Sequence, residues 1–240
     1  KFEVEEKGGS ENIVTSSDLA VQRYLTEKLS ALLPGCGFFC EEDDLQSSTE
    51  EYIWIIDPID GTANYARHIE DCCISVALAR HGELQLGVVW SPWRNDLYTA
   101  EIGKGAWLNG RPIRVSGRSF EQGLFCTAMS TYRKEWAKAC SDIIYDAYMQ
   151  SNDTRRLGSA ALELCMMASG RIELYFEMRL QPWDYAAAML ILREAGGVCL
   201  SHDGKAPSLS RQSLVVAANS TASAERLLAI VHKHLPVLPY

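Results

Sequence analysis

The stretch YIWIIDPIDGTAN, residues 52–64, decides the fold of this chain. Its apolar first part is typical of a buried strand, and two acids, Asp57 and Asp60, follow. Pro58 has no amide hydrogen and a fixed φ, so we expect the strand to end at Asp57 in a stiff turn. Gly61 lets the backbone approach a ligand closely. The pattern predicts a strand that delivers two carboxylates to one point at its carboxyl end.

Two ionised carboxylates that face one point repel each other, so either one is protonated or cations lie between them. The second case is hard-metal chemistry. Thr62 opens a short helical turn. Its hydroxyl and the free backbone amides of the turn suit a phosphate oxygen. The alternative is a buried strand that ends in an Asp-Gly turn without a ligand. An ordinary turn needs only one acid and one glycine, so the combination favours a site for metal and phosphate.

The composition is that of a globular protein with a sizeable core. The chain has 240 residues, of which 47% are hydrophobic and 22% charged, and its formal net charge is −8. This acidic balance argues against a nucleic-acid partner but is compatible with a small ligand bound through cations. No apolar stretch approaches the roughly 20 residues that span a bilayer, and the start lacks the apolar stretch of a signal peptide. We therefore expect a cytoplasmic protein without a membrane segment.

The eight cysteines form no Cys-x-x-Cys pair and mostly lie in apolar segments, which predicts reduced core residues. The five histidines form no recognised ligand pattern with them, so zinc is not favoured.

The first half of the chain predicts one helix and an antiparallel sheet. After a short extended segment at 13–15, the helix begins at Ser16-Ser17-Asp18 and ends before Pro34-Gly35. A brief strand at 38–40 then leads directly into Glu41. Further strands are predicted at about 72–79, 84–90, 96–101 and 105–108.

The second half predicts strands that alternate with helices, which implies a sheet covered on both faces. Strands are expected at 124–128, 172–176 and 215–217, and helices at 133–149, from 158 onward, at 185–195 and at 222–234. A polar stretch at 116–122 marks the boundary. We expect an N-terminal α+β half, residues 1–118, that carries the main metal motifs, and a C-terminal α/β half, residues 119–240, that carries Asp184 and the specificity region.

Asp184 is a third acid that can reach the same point. It precedes a helix whose first residues are small, so it can serve merely as a helix cap. A helix with a small-residue face can also come close to the end of the Asp57 strand. Asp184 would then join Asp57 and Asp60.

Together these segments resemble the inositol monophosphatase family of magnesium-dependent, lithium-sensitive phosphatases. Residues 54–64 and 183–197 look like its two signatures, and residues 15–18 match its Thr-x-x-Asp. Cys40-Glu41-Glu42 corresponds to its Gly-Glu-Glu, with cysteine in place of the glycine. The resemblance covers nearly the whole chain. It implies a layered α-β-α-β-α sandwich of the sugar-phosphatase type, with a mixed antiparallel sheet in the first half and an α/β second half.

The resemblance also assigns magnesium ligands. Glu41, Asp57 and the Ile59 carbonyl would hold a first ion. Asp57, Asp60 and Asp184 would hold a second, and a third, weaker site would lie near Glu41. Oxygen ligands of this kind suit magnesium better than zinc. The bound ions would clamp the phosphate, activate a water for direct attack and offset the charge on the leaving oxygen.

Thr62, paired with Asp18 as in the family, would orient or deprotonate the attacking water. Glu41, Thr62 and Asp18 are therefore the expected catalytic residues, although Asp18 by itself could be only a helix cap. The amides of Gly61 and Thr62 would bind phosphate oxygens.

The resemblance further implies a set of substrate contacts: Asp60, Ser159, the Ala160 backbone, Glu177 and Asp184. We expect Glu177 at a strand end, where it suits a polyol; the alternative is a solvated edge carboxylate. Arg179 stands where the inositol enzymes often have a small residue. It would pair with Glu177, narrow the pocket or contact a second phosphate.

The leading hypothesis is a magnesium-dependent phosphomonoesterase of a small polyol or sugar phosphate, with inositol monophosphate first. Fructose 1,6-bisphosphate and 3′,5′-adenosine bisphosphate are rival substrates, since relatives handle both with the same metal core. A hypothesis from another class is a regulatory binding protein that retains the metal site. Because the family commonly forms homodimers, we expect a homodimer that binds a small phosphate ester and has no nucleic-acid or membrane partner.

Overall fold

A computed structural model describes residues 4–9, 12–42, 50–129 and 133–240, and of residues 4–15 it gives the backbone alone. Strands and α-helices are numbered separately along the chain. The strands are β1 Val4–Gly9, β2 Asn12–Thr15, β3 Gly37–Cys40, β4 Tyr52–Asp60, β5 Cys73–Arg80, β6 Glu83–Ser91, β7 Asp96–Glu101, β8 Gly105–Leu108, β9 Arg111–Ile113, β10 Leu124–Ala128, β11 Asp153–Arg155, β12 Leu174–Leu180, β13 Val198–Leu200 and β14 Ser213–Ala218. The helices are α1 Ser16–Leu32, α2 Thr62–Tyr65, α3 Ala137–Tyr148, α4 Ala160–Ala168, α5 Pro182–Glu194 and α6 Thr221–His234.

Two larger sheets form the frame, and β1 pairs with β2 in a separate ribbon. The first sheet has the order β3-β4-β5-β6-β7-β8-β9, in which β3 and β4 are parallel and the other pairs antiparallel. The second has the order β11-β10-β12-β14-β13 and is mixed, because β10 lies parallel to β11 and β12 while β14 lies antiparallel to its neighbours. Since β3 and β4 are parallel, their carboxyl ends meet at one edge.

Helices fill the spaces on either side of each sheet. Leu25 and Leu29 of α1 pack against Trp54 on one face of the first sheet. Helices α4 and α5 lie between the two sheets in the largest apolar cluster. Helices α3 and α6 cover the outer face of the second sheet, where Ile143 and Leu227 belong to one cluster with its strands. The predicted α-β-α-β-α sandwich is thereby confirmed.

Helix α5 packs very closely on the first sheet, as its small residues predict. Ala186, Ala187 and Ala188 are fully buried, and a Cβ at Gly87 of β6 would lie 2.6 Å from the Ala187 carbonyl oxygen. The helix begins at Pro182, three residues before the predicted start at residue 185. Proline suits the first helical turn because its missing amide hydrogen would have no partner there.

The prediction that the strand beginning at residue 52 ends at Asp57 is wrong. Strand β4 continues through Pro58 to Asp60, with a bulge in which Asp57 lies opposite Ser75 and Asp60 opposite Cys73. The ladder with β3 reaches only Ile56, so the missing amide of Pro58 interrupts no bond to β3. The bulge thus lets a proline remain inside a strand and sets both acids at its end.

The prediction of a strand at 172–176 also needs correction, because β12 runs from Leu174 to Leu180. Glu177 therefore lies inside a strand rather than at its end, and the register with β14 shifts after it. Four short strands were not predicted from the sequence, since runs of three to six residues carry little periodicity. They are β1, β9, β11 and β13.

All eight cysteines are free, as predicted. Throughout the four described ranges, no helix combines the length and the apolarity that crossing a membrane requires. The largest apolar cluster contains Ile55 and Ala77 together with Tyr175 and Val215, so residues from both predicted halves share one core.

Candidate active site

The ends of β3 and β4 and the start of α5 meet at one edge of the first sheet. The amide of Glu41 donates to the Ile56 carbonyl (3.2 Å), which places Glu41 beside the end of β4. The Ser75 hydroxyl donates to the Trp183 carbonyl (3.2 Å), which ties the start of α5 to β5. The Phe39 ring also packs edge-on against Trp183, with centroids 5.0 Å apart. These contacts bring together acids that are far apart in the sequence.

We call Glu41, Asp57, Asp60 and Asp184 the acidic cluster. Burial raises the pKa of Asp57, and the charges of Glu41, Asp60 and Asp184 raise it further. Burial likewise raises the pKa of Asp184, and Asp60 and Glu41 add to the effect. Each acid thus lies within the field of the others. Such a group becomes stable in its ionised form when a cation is supplied.

Asp60 is oriented by the start of α4. Its Oδ2 accepts hydrogen bonds from the Ser159 hydroxyl (2.6 Å) and the Ala161 amide (2.7 Å). The Cys73 thiol lies 3.8 Å from the same oxygen. Burial raises the pKa of Asp60, whereas the bonds from Ser159 and Ala161 lower it. One carboxylate oxygen is thereby held by protein donors, and the carboxyl group has a defined orientation.

Asp184 does cap a helix. Its Oδ2 accepts a hydrogen bond from the Gln181 amide (2.7 Å) in a capping box at the start of α5. A carboxylate has two oxygens, so this bond leaves the role of a metal ligand compatible with that of a cap. The cap fixes the Asp184 side chain at the end of α5 that faces the other three acids of the acidic cluster.

The predicted pair of Thr62 and Asp18 is brought together. The Thr62 hydroxyl lies within donor distance of Asp18 Oδ1 (3.3 Å) and of the Ile59 carbonyl (3.0 Å). Asp18 is fully buried in the first turn of α1. Gly61 has φ +92°, and a Cβ there would lie 3.0 Å from the Asp71 carbonyl oxygen. Glycine is therefore required at the turn that leads into Thr62.

Of the predicted substrate residues, Ser159 and Ala160 lie at the start of α4 and Glu177 lies in β12, which contacts α4. Ser159 and Ala160 are buried at the start of α4. Glu177 is half-buried and accepts a hydrogen bond from the Tyr175 hydroxyl (2.6 Å). Burial raises the pKa of Glu177 to about 7, while the bond from Tyr175 and the charge of Arg156 lower it. The alternative of a solvated edge carboxylate is wrong, because Glu177 lies within a strand that has a partner on each side.

Arg179 does not have the pairing that we considered with Glu177. Its guanidinium donates to the Gln212 side chain, and its charge acts on Tyr240. The register of β12 with β14 shifts between Glu177 and Leu180, in the stretch that contains Arg179. The basic residue whose charge acts on Glu177 is Arg156.

The sequence reasoning missed three polar residues that support the site. Gln22, one turn after Asp18 in α1, accepts a hydrogen bond from the Glu42 amide (3.0 Å) through its side chain and so holds the segment after β3. Asn64 and Glu163 hold the segment before α4 by side-chain bonds to its backbone. The available signals were the four-residue spacings from Asp18 to Gln22 and from Ser159 to Glu163, which place each pair on one helix face.

The donor set fits a hard divalent cation. Four carboxylates supply oxygen ligands, and the Ile59 carbonyl lies between Asp57 and Asp60 in the bulge. In the ranges that the structure describes, no three His, Cys, Asp or Glu side chains are already gathered at metal-binding distances. Oxygen ligation favours magnesium over zinc.

Residues 1–235 match the model of the inositol monophosphatase family. A protein of Xylella fastidiosa named Nus factor SuhB is 40% identical over 194 residues, which make up 80% of this chain and 70% of that protein. The crystal structure of extragenic suppressor protein suhB from Bartonella henselae has a TM-score of 0.89 at 30% identity, covering 97% of this chain and 89% of that one. The crystal structure of an IMPase/NADP phosphatase complexed with Mg²⁺ and phosphate has a TM-score of 0.86 at 27% identity, covering 96% and 86%.

Proposed function

The chain belongs to the inositol monophosphatase family, and we propose that it is a magnesium-dependent phosphomonoesterase of small polyol or sugar phosphates, with inositol monophosphate as the first candidate. The convergence of the acidic cluster from β3, β4 and α5 carries this proposal. A family structure of similar fold holds Mg²⁺ and phosphate, which supports it.

We assign the Glu41 and Asp57 carboxylates and the Ile59 carbonyl to one magnesium ion. Asp57, Asp60 and Asp184 are assigned to a second, and a third would lie near Glu41. Bound magnesium would supply Lewis-acid activation of the attacking water and would offset the charge on the phosphate and the leaving oxygen. The protein's own part is to orient these oxygens, which the bond from Ser159 does at Asp60.

Thr62 and Asp18 would position the attacking water. When its proton is donated to Asp18, the Thr62 hydroxyl presents its lone pairs to a neighbouring water and so orients it. The left-handed backbone of Gly61 brings the turn close to the ligand, and the Gly61 and Thr62 amides would bind phosphate oxygens.

The substrate's hydroxyl groups would contact Ser159, the Ala160 backbone and Glu177, together with Asp60 and Asp184. Glu177 is the main candidate for specificity because it retains exposed surface beside these elements. The rival substrates, fructose 1,6-bisphosphate and 3′,5′-adenosine bisphosphate, carry a second phosphate and would need a basic contact. Arg156 is the cation whose charge acts on Glu177, so it is the first residue to test for that contact.

The test is phosphate release from inositol 1-phosphate and the two bisphosphates, measured with magnesium and with a chelator. Asp57→Asn should lower kcat/KM by about 100-fold or more, because it removes the ligand shared by both proposed ions. Asp203→Asn, a change of the same kind at an exposed acid, should leave kcat/KM unchanged. Added lithium should inhibit. The proposal fails if magnesium elicits no release from any of a broad panel of phosphomonoesters, or if Asp57→Asn retains full activity.

A second candidate is a regulatory binding role, which is favoured by the name Nus factor SuhB of the similar proteins. Complementation of a deletion strain separates the two. An Asp57→Asn protein that restores growth while it lacks phosphatase activity indicates a binding role. The absence of a nucleic-acid partner and the homodimeric state stay predictions, to be measured by filter binding and by sedimentation.

A further inference from the structure

The segment between β11 and α4, residues 156–159, lies beside both the turn before Thr62 and Asp60. The Gly158 carbonyl oxygen lies 3.2 Å from the position that a Cβ would take at Gly61, so the segment contacts the turn before Thr62. The hydroxyl of Ser159, the last residue before α4, lies 2.6 Å from Asp60 Oδ2. The position of this segment therefore determines where Ser159 lies relative to Asp60.

Glu163 holds this segment from inside α4. Its Oε1 accepts hydrogen bonds from the amides of Leu157 (2.5 Å) and Gly158 (3.3 Å). Only 2% of the residue is exposed, and among the described residues the groups that act on its charge are two backbone amides and the acids Glu177 and Asp60, without a basic side chain. A buried acid without a basic partner is costly unless it satisfies donors that would otherwise be lost. The amides of Leu157 and Gly158 are such donors, and this explains why an acid is buried at position 163.

Asn64 holds the same segment from the opposite side. Its Nδ2 donates to the Leu157 carbonyl (2.7 Å) and to the Asp71 carbonyl (2.7 Å), so both hydrogens of the amide are used. The amide and the carbonyl of Leu157 are thus both bound by side chains, one from α4 and one from α2. A single residue bound in this way has little freedom to shift.

We propose that Glu163 and Asn64 are positioning residues that clamp Leu157. The clamp holds Ser159 against Asp60 and sets the neighbouring Arg156 beside Glu177, so it shapes the substrate side of the site, while Asp60 keeps its second bond from the Ala161 amide of α4. This inference rests on the proposed function in so far as it concerns catalysis. Its structural part, the fixed segment 156–159, stands without it.

Glu163→Gln and Glu163→Met form the matched pair that tests the clamp. Glutamine keeps an oxygen acceptor at the position of Oε1, whereas methionine keeps the length but removes the acceptor. We expect Glu163→Met to raise KM for the phosphate ester about tenfold with kcat changed less than about threefold, and Glu163→Gln to retain a KM near the wild-type value. If the methionine variant does not fold, Asn64→Ala takes its place as the test. This change lies at a half-buried position and should raise KM in the same way.

Hydrogen exchange separates failure of the clamp from failure of the proposed function. The amides of Leu157 and Gly158 should exchange slowly in the wild-type protein and in Glu163→Gln, and at least about tenfold faster in Glu163→Met or Asn64→Ala. Fast exchange in a protein without phosphatase activity would retain the clamp and reject the proposed function. Wild-type KM and wild-type exchange in Glu163→Met and Asn64→Ala would overturn the clamp. A lower melting temperature without a change in KM or in exchange would show a merely structural role and would also overturn it.

Discussion

Replacing Gly87 by alanine should push α5 away from the seven-stranded sheet. The added Cβ would lie 2.6 Å from the Ala187 carbonyl oxygen, and real Cβ contacts start at about 3.0 Å, so the two elements must separate by at least 0.4 Å (3.0 minus 2.6). The obstacle is backbone, which cannot rotate away as a side chain would. Overpacking of this kind costs about 1–3 kcal/mol. We expect a value at the upper end, which for a chain of this length lowers the melting temperature by about 6–12 °C.

The same substitution should reduce catalysis, because Asp184 lies in the first turn of α5. A displacement of this size at a proposed metal ligand should lower kcat about tenfold. Gly117→Ala is the matched control, since its Cβ would meet no atom within 4 Å and its φ is not left-handed. Melting temperatures by calorimetry and kcat with magnesium would be compared for the two variants. A Gly87→Ala protein that melts within 2 °C of Gly117→Ala and has the same kcat would refute the packing described for α5.

Further predictions concern the acids. Asp184→Asn should keep the melting temperature within about 2 °C of the wild-type value, because the asparagine oxygen can still accept from the Gln181 amide, while phosphate release is lost; a large fall in stability with intact activity would contradict the assignment. Magnesium at 100 times its dissociation constant should stabilise the wild-type protein by about 2.7 kcal/mol and Asp57→Asn much less, as scanning calorimetry would show, and equal stabilisation of both would exclude Asp57 as a ligand. Burial raises the pKa of Glu163 from 4.5 to about 8. The folded state therefore binds more protons than the unfolded state between these values, and stability falls as the pH rises from 4.5 through 8. Glu163→Gln removes this contribution, so urea unfolding at pH 5 and pH 9 should show the variant gaining about 4 kcal/mol relative to wild type between the two, and an equal pH dependence of both proteins would contradict the raised pKa.

Several elements of the site were predictable because they depend on local patterns. The small residues of α5 predicted its close packing, since a helix without bulky side chains can approach a sheet. Glu41 and Asp57 each follow an apolar run, and their meeting at one site was implied by the resemblance to the family. The continuation of β4 through Pro58 was not predictable, since it depends on how far the ladder with β3 extends. Glu177 was misplaced for a similar reason, because pairing with β10 and β14 extends β12 beyond its apolar run.

The sequence by itself determined which polar groups are available: acids after two apolar runs and at the start of a helix, and a glycine and a threonine in the turn after the second run. Only the tertiary structure decided how these groups are oriented. Ser159 and the Ala161 amide occupy one oxygen of Asp60, although 99 positions separate Asp60 from Ser159. Glu163 and Asn64 bind the same residue, Leu157, from two helices. Periodicity and turn signals report on neighbours along the chain, whereas these bonds depend on the packing of α4 between two sheets, which no local pattern contains.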